Sequence, residues 1–96
     1  MAYYFSTQIK IHDTEEYDRY LENFDEIFER RKGTILAVDD SPTVLEGEWA
    51  YTRSVLIRFD TREDFEDWYF SKDYQQILKY RLNAADCDTI LIEGNE

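Results

Sequence analysis

Arg81 stands out among the residues that could do chemistry, because a charged side chain occupies a position where the pattern favours an apolar one. Leu78 and Leu82 flank it at helical spacing, so the guanidinium should lie on a buried helix face. A buried guanidinium requires a carboxylate, carbonyl groups or a ligand anion. The alternatives are an ion pair with Glu46, Asp86 or another acid, a stem that packs while its charged end reaches water, or an anion clamp for a carboxylate or enolate-like ligand.

Glu46 and His12 are the candidate catalytic residues, as groups that could transfer a proton. Glu46 precedes Gly47 at the end of a β-like segment and could act as a general base if burial raised its pKa. At the end of a hairpin, such a glutamate is more often a partner for arginine or a cap of backbone N–H groups. His12 is the only histidine and could carry a proton near neutral pH, although a histidine at a polar strand end is usually exposed. Without a second His or Cys at ligand spacing, we expect no metal site.

Aromatic residues are the second candidate for a binding site. The chain has two Trp, eight Tyr and six Phe, which is more than a small core easily accommodates. Some should therefore line a cavity or an interface, while the others form the core. The predicted pocket residues are Trp49, Trp68, Tyr69 and Tyr74, with Tyr17 and Tyr20 completing the wall from the first helix.

Charge and composition exclude several classes of function. A formal net charge of −11 repels phosphate backbones and anionic lipid, so we expect neither a nucleic-acid nor a membrane partner. Gly-rich phosphate loops and nucleophile elbows are missing, and no nucleotide or other cofactor is expected. The single cysteine permits no intrachain disulfide, which favours a reducing cytoplasm. Residues 1–96 suit one domain with one core.

Periodicity predicts the elements of the first half of the chain. Alternation over residues 3–12 places Phe5 and Ile9 on one face of a strand. Asp13 should cap a helix that runs to Arg31 and is stopped by Gly33. Two short β-like runs, residues 34–38 and 43–48, are then predicted to form a hairpin around a turn at residues 39–42.

The second half contributes a further strand, two helices and a final strand. Residues 52–59 alternate, Thr61 and Ser71 are helix caps, and residues 89–93 form the last strand. The order β-α-β-β-α-β, with an extra strand in the long hairpin, predicts an α+β, ferredoxin-like fold: an antiparallel sheet with both helical regions on one face. The other sheet face mixes Tyr4 and Leu56 with polar residues, so we predict a homodimer through that face.

Several short motifs together resemble a known family. The sequence is similar to domain-of-unknown-function family 1330 (DUF1330), of the dimeric α/β-barrel superfamily, over essentially its whole length. The matching residues are Asp13 with Tyr17 and Tyr20, Leu45-Glu46-Gly47 with Trp49, the strand at residues 55–59, Trp68-Tyr69-x-Ser71-x-x-Tyr74-Gln75, Arg81, and Ala84-Ala85-Asp86.

The resemblance implies a dimer and a range of activities, because structural relatives include cofactor-free monooxygenases, lactone isomerases and haem-binding dismutases. We therefore predict a protein that binds a small aromatic or anionic compound, with cofactor-free oxidation or isomerisation as the enzymatic possibility. The alternative is a non-enzymatic dimerisation module with a filled core.

Overall fold

The fold is a four-stranded antiparallel sheet covered on one face by helices. The computed structural model describes residues 1–96. Its elements in chain order are β1 Tyr3–Ile11, α1 Thr14–Phe28, β2 Gly33–Asp39, β3 Arg53–Phe59, α2 Arg62–Tyr69, α3 Lys72–Ala84 and β4 Ala85–Glu93. This arrangement confirms the predicted α+β, ferredoxin-like fold class.

The sheet has the strand order β2-β3-β1-β4, so β1 lies between two antiparallel neighbours. Alternate residues of β1 point to the helices, and Phe5, Thr7 and Ile9 are buried there, as the alternation predicts. The register places Val55 opposite Thr7 and Arg53 opposite Ile9. These pairs define the inner sheet face, which forms the floor of the site described below.

Helix α1 begins at the predicted cap. The Asp13 carboxylate accepts a hydrogen bond from the Glu16 N–H, satisfying one of the free donors of the first turn. The helix ends at Phe28, three residues before the predicted Arg31. Gly33 is the first residue of β2. Its backbone passes so close to the rings of Phe28 and Phe59 that an added Cβ would lie 2.7 Å from each, which favours glycine at this position.

The predicted break in the second helical region is confirmed. The Thr61 hydroxyl accepts from the Asp64 N–H at the start of α2. The Ser71 hydroxyl accepts from the Tyr74 N–H at the start of α3 and donates to the carbonyl of Trp68 at the end of α2. Ser71 thus joins the two helices at their bend.

The predicted strand at residues 43–48 is wrong. Residues 40–52 form a loop, and β2 pairs instead with β3 across it. The segment has β-favouring residues but no neighbouring strand to supply ladder hydrogen bonds. Leu45 is 87% exposed, and Gly47 takes a positive φ of 83°, which ends any extended run.

The last strand is longer than predicted and follows α3 without a connecting loop. β4 starts at Ala85, four residues before the predicted start at residue 89. It pairs with β1 from Ala85 opposite Ile11 to Glu93 opposite Tyr3. Backbone pairing with a central strand therefore outweighs the helical propensity of Ala85.

The core is largely aromatic and centres on Trp68. Its ring lies 4.4 Å from Tyr74, 5.5 Å from Phe59 and 5.2 Å from Phe5, measured between ring centroids. Such stacked, tilted and edge-to-face pairs add to the stabilisation from burial. None of the helices has both the length and the apolar composition required to cross a membrane.

Candidate functional site

A cavity of about 350 Å³ lies between α1 and the inner sheet face. That volume is at the lower end of the range for small-molecule sites. Most of its wall is apolar, and its charged side chains are two arginines and one aspartate. The lining residues are Phe5, Thr7, Ile9, Tyr17, Tyr20, Leu21, Phe24, Asp25, Ile35, Val38, Arg53, Val55, Ile57 and Arg81.

Arg81 reaches this cavity from α3. It shares the buried face of that helix with Tyr74, Ile77 and Leu78, and it is only 2% exposed. One terminal N–H donates a long, 3.5 Å hydrogen bond to the Thr7 hydroxyl. Its Nε–H has no hydrogen-bond partner in the protein. The side chain is therefore buried with its Nε–H donor unused.

The ion pair considered for Arg81 with Glu46 or Asp86 is not formed. None of the ion pairs in the protein includes Arg81. The guanidinium lies instead 5.7 Å from the centroid of the Tyr20 ring. A ring face offsets only part of the charge. Arg81 is thus a buried cation without an acidic partner.

Two tyrosine hydroxyls share a hydrogen bond beside Arg81. The oxygens of Tyr20 and Tyr74 are 2.7 Å apart in the buried interior. Burial raises the pKa of Tyr20 well above its ordinary value, and Tyr74 adds to the rise. Burial also raises the pKa of Tyr74, although Arg81 opposes that change. Both phenols are neutral at physiological pH.

Arg81 is charged at physiological pH because a guanidinium is not deprotonated in proteins. Burial disfavours its charged form, whereas Tyr74, Tyr20 and Cys87 raise the pKa of Arg81 above its ordinary value through their charged forms, which exist only at alkaline pH. The wall near Arg81 therefore carries a full positive charge next to neutral phenols.

Arg53 forms a second cationic point on the wall. Its guanidinium lies 5.9 Å from the Tyr17 ring centroid and pairs with Asp40 at 2.7 Å, while its Nε–H has no partner. Sequence reasoning missed Arg53 as a site residue. The signal was present, because Arg53 has the same strand parity as Val55 and Ile57, whose side chains point inward.

Over residues 1–95, the sequence matches the model of a domain of unknown function, DUF1330. The chain belongs to the DUF1330 family. The family resemblance predicted from the sequence motifs is confirmed. A search of functionally curated proteins found no match to this chain.

Solved structures share the fold of this DUF1330 protein at low sequence identity. A protein of unknown function from Rhodopseudomonas palustris is 16% identical, with a TM-score of 0.80 over 99% of this chain and 83% of the other. A dimeric ferredoxin-like protein of unknown function from Jannaschia sp. CCS1 is 12% identical, with a TM-score of 0.74 over 98% and 100%. SnoaB, a cofactor-independent oxygenase from Streptomyces nogalater, is 9% identical, with a TM-score of 0.69 over 99% and 94%.

Of the predicted site residues, the DUF1330 structure brings Tyr17, Tyr20 and Arg81 together on one cavity wall. Trp68 and Tyr74 are fully buried in the core instead, where the Tyr74 hydroxyl shares a hydrogen bond with that of Tyr20 on the wall. Tyr69 packs on Phe5 and Phe65 outside the cavity lining. Spacing along a helix could not separate these roles, because core and cavity residues occupy the same buried face.

The remaining predicted residues of this DUF1330 protein lie away from the cavity. His12 is exposed, and its backbone N–H donates to the carbonyl of Ala84. Glu46 and Trp49 are exposed on the loop at residues 40–52, where Trp49 contacts the ring of Tyr51. The prediction that Glu46 or His12 moves a proton at the same site as Arg81 therefore has no geometric support.

Proposed function

We propose that this protein binds a small organic anion with an apolar or aromatic body in the cavity beneath α1. The observation that carries the proposal is Arg81, a buried guanidinium that faces a cavity and has no acidic partner. An unpaired buried charge typically costs several kcal/mol. A carboxylate, phenolate or enolate oxygen would supply the missing partner by accepting from the free Nε–H and a terminal N–H.

The shape of the wall supports an aromatic or branched apolar body. The rings of Phe5, Tyr17, Tyr20 and Phe24 line the cavity around Arg81. Flat rings stack on such walls at low entropic cost. The alternative of a purely structural module has less support, because the interior is open at Arg81 and that residue is not paired internally.

Cofactor-independent oxidation or isomerisation is the second candidate function. The observation that favours it is the cation beside the neutral phenols of Tyr20 and Tyr74, an arrangement that stabilises an enolate or phenolate. SnoaB, with a similar fold, is described as a cofactor-independent oxygenase. His12 and Glu46 lie elsewhere, so the substrate would have to enter already ionised or lose its proton to water.

We propose that the protein assembles as a homodimer through its outer sheet face. This face is defined by Tyr4, Leu56, Ile90 and Ile92 with Ser6, Gln8 and Ser54. Ile90 is 59% exposed on this face although it lies in a strand. Ser54 donates to the Gln8 amide oxygen and Gln8 donates to Ser6, so these polar groups are already satisfied among themselves. A second copy could therefore cover the face without leaving them unpaired.

The dimer is tested by changing one apolar residue on the outer sheet face. Ile90→Asp should shift the protein to the mass of a monomer in size-exclusion chromatography with light scattering. Leu82→Asp is the matched control, because Leu82 is similarly exposed but lies on α3. A monomeric parent protein, or an unchanged mass in Ile90→Asp, would refute the interface.

Ligand binding is tested with pairs of molecules that differ in charge alone. Benzoate and related aryl acids are compared with their amides by thermal unfolding. At ten times Kd a specific acid should add about 1.4 kcal/mol, which corresponds to a rise of roughly 6–11 °C in Tm. Amides should have little effect. Equal shifts for acids and amides would refute the role of an anion.

A further inference from the structure

The cavity presents two arginines rather than one, and both have free donors. The Nε–H groups of Arg81 and Arg53 are each buried without a hydrogen-bond partner. Both side chains line the same cavity. A single monoanion bound at Arg81 would leave the second guanidinium with its free donor.

Both arginines approach the inner face of β1 and the same pair of tyrosine rings. Arg81 contacts Thr7 on β1, and Arg53 lies opposite Ile9, the next inward residue of the same strand. Thr7 and Arg53 are therefore diagonal neighbours in the sheet, roughly 7–8 Å apart. The rings of Tyr17 and Tyr20 have centroids 5.7 Å apart, and Arg53 lies over the first ring while Arg81 lies over the second. Two cationic side chains over adjacent rings in one cavity suit a single ligand that carries two acidic groups.

The partner that Arg53 already has is weak. Asp40 is 68% exposed and stands at the start of the loop at residues 40–52. An exposed ion pair contributes little to stability, so an acid inside the cavity can compete with it. Asp25, the cavity's own carboxylate, is exposed and forms no ion pair with either arginine. The charged groups of the cavity that are shielded from solvent are therefore the buried Arg81 and the half-buried Arg53.

We propose that the ligand is a two-headed acid, such as an aromatic dicarboxylate or a hydroxy acid that binds as a dianion. Arg81 holds one acidic group and Arg53 holds the other, while the ring packs along Tyr17 and Tyr20. This inference rests on the proposed function of the cavity and adds the class of ligand. Binding of the second acidic group of the ligand breaks the ion pair between Arg53 and Asp40. The loop at residues 40–52 then loses this contact at its first residue.

The experiment compares benzene dicarboxylates with their monoamides, which keep the shape and lose one charge. In isothermal titration of the parent protein, the benzene dicarboxylate isomer with the highest affinity should bind at least about tenfold more tightly than its own monoamide. In Arg53→Met this ratio should fall to about one. In Asp40→Asn it should rise above the parent value, because the competing carboxylate is gone.

Arg62→Met is the matched control, since Arg62 is an exposed arginine outside the cavity and should leave the ratio unchanged. Arg53→Lys covers the case of a misfolded Arg53→Met, and it should give an intermediate ratio because it keeps the charge without the planar fork. A ratio near one in the parent, or a ratio unaffected by Arg53 substitution, overturns the two-headed ligand. Arg81-dependent monoacid binding alone would then still support the proposed function, whereas no binding of either acid overturns both.

Discussion

At the scale of single residues, Arg81 connects the packing of the protein to its proposed function. Its neighbours are a threonine hydroxyl, tyrosine rings and apolar side chains of α3. None of these neutralises a guanidinium. Binding sites typically contain side chains that lower the stability of the protein without ligand and contribute to the affinity for the ligand, so that stability and function oppose one another.

Arg81→Met should therefore keep or raise stability. Methionine has a similar length and needs no hydrogen bonds, so its burial removes the desolvation cost of the charge. We expect an unfolding free energy unchanged or higher by up to about 2 kcal/mol, with Tm rising by roughly 4–8 °C per kcal/mol. Chemical and thermal unfolding measure this. A loss of more than about 1 kcal/mol would mean that Arg81 is a structural residue.

The buried tyrosines predict a loss of stability at alkaline pH. Burial raises the pKa of Tyr20 and Tyr74 above the unfolded value of about 10, so above that pH the unfolded chain releases protons that the folded chain retains. Stability is full below about pH 10 and falls as pH rises through the folded pKa values. Each tyrosine contributes up to about 1.4 kcal/mol per pH unit.

This slope is measured by denaturant unfolding between pH 9 and 11. The double variant Tyr20→Phe with Tyr74→Phe removes both phenols together and leaves no unpaired hydroxyl, so it should fold and lose stability less steeply. An identical slope in the double variant would contradict the assignment.

At the scale of elements, local chemistry predicted the helices well. Asp13, Thr61 and Ser71 cap the helices as expected, because an N-cap depends on a few neighbouring residues. Strands depend on distant partners. That is why the segment at residues 43–48 was wrong and why the length of β4 was underestimated.

The candidate site was predictable only in part, for a related reason. Arg81, Tyr17 and Tyr20 were identified from their helix faces, and the cavity does bring them together. Arg53 was missed because its role depends on the pairing of β3 with β1, which sets it opposite Ile9. Trp68 could not be separated from the wall by spacing, because the fold decides which part of a buried face is filled.

Ser71 gives a prediction at this scale, since it caps α3 and also bonds the last turn of α2. Ser71→Ala should lower the free energy of unfolding by about 1–2 kcal/mol, at the upper end for an N-cap. Thr61→Ala, which removes a cap with one such bond, should cost less. Equal or reversed costs in urea unfolding would show that the link between the helices adds nothing.

At the scale of the whole molecule, the surface and the cavity have opposite charge. The net charge is −11, whereas the buried charges of the cavity belong to Arg53 and Arg81. The Debye length falls from about 30 Å at 0.01 M to about 10 Å at 0.1 M salt, so salt screens the distant surface acids more than a guanidinium in contact with the ligand.

An anionic ligand should therefore bind faster as salt is added. Between 0.01 and 0.1 M salt we expect kon to rise about 2- to 10-fold for an aryl acid and to stay constant for its amide. Stopped-flow fluorescence measures both rates. A kon for the acid that falls with salt would indicate that entry is steered by an exposed basic surface instead.

The most direct test of the central claim is calorimetric titration of one aryl acid, identified by the thermal screen, into the parent protein and Arg81→Met under the same conditions. If the buried guanidinium holds the ligand anion, the variant should remain folded and its affinity should fall by about 100-fold or more, equivalent to about 2.7 kcal/mol. Equal affinities in two folded proteins would contradict the claim that Arg81 binds the anion.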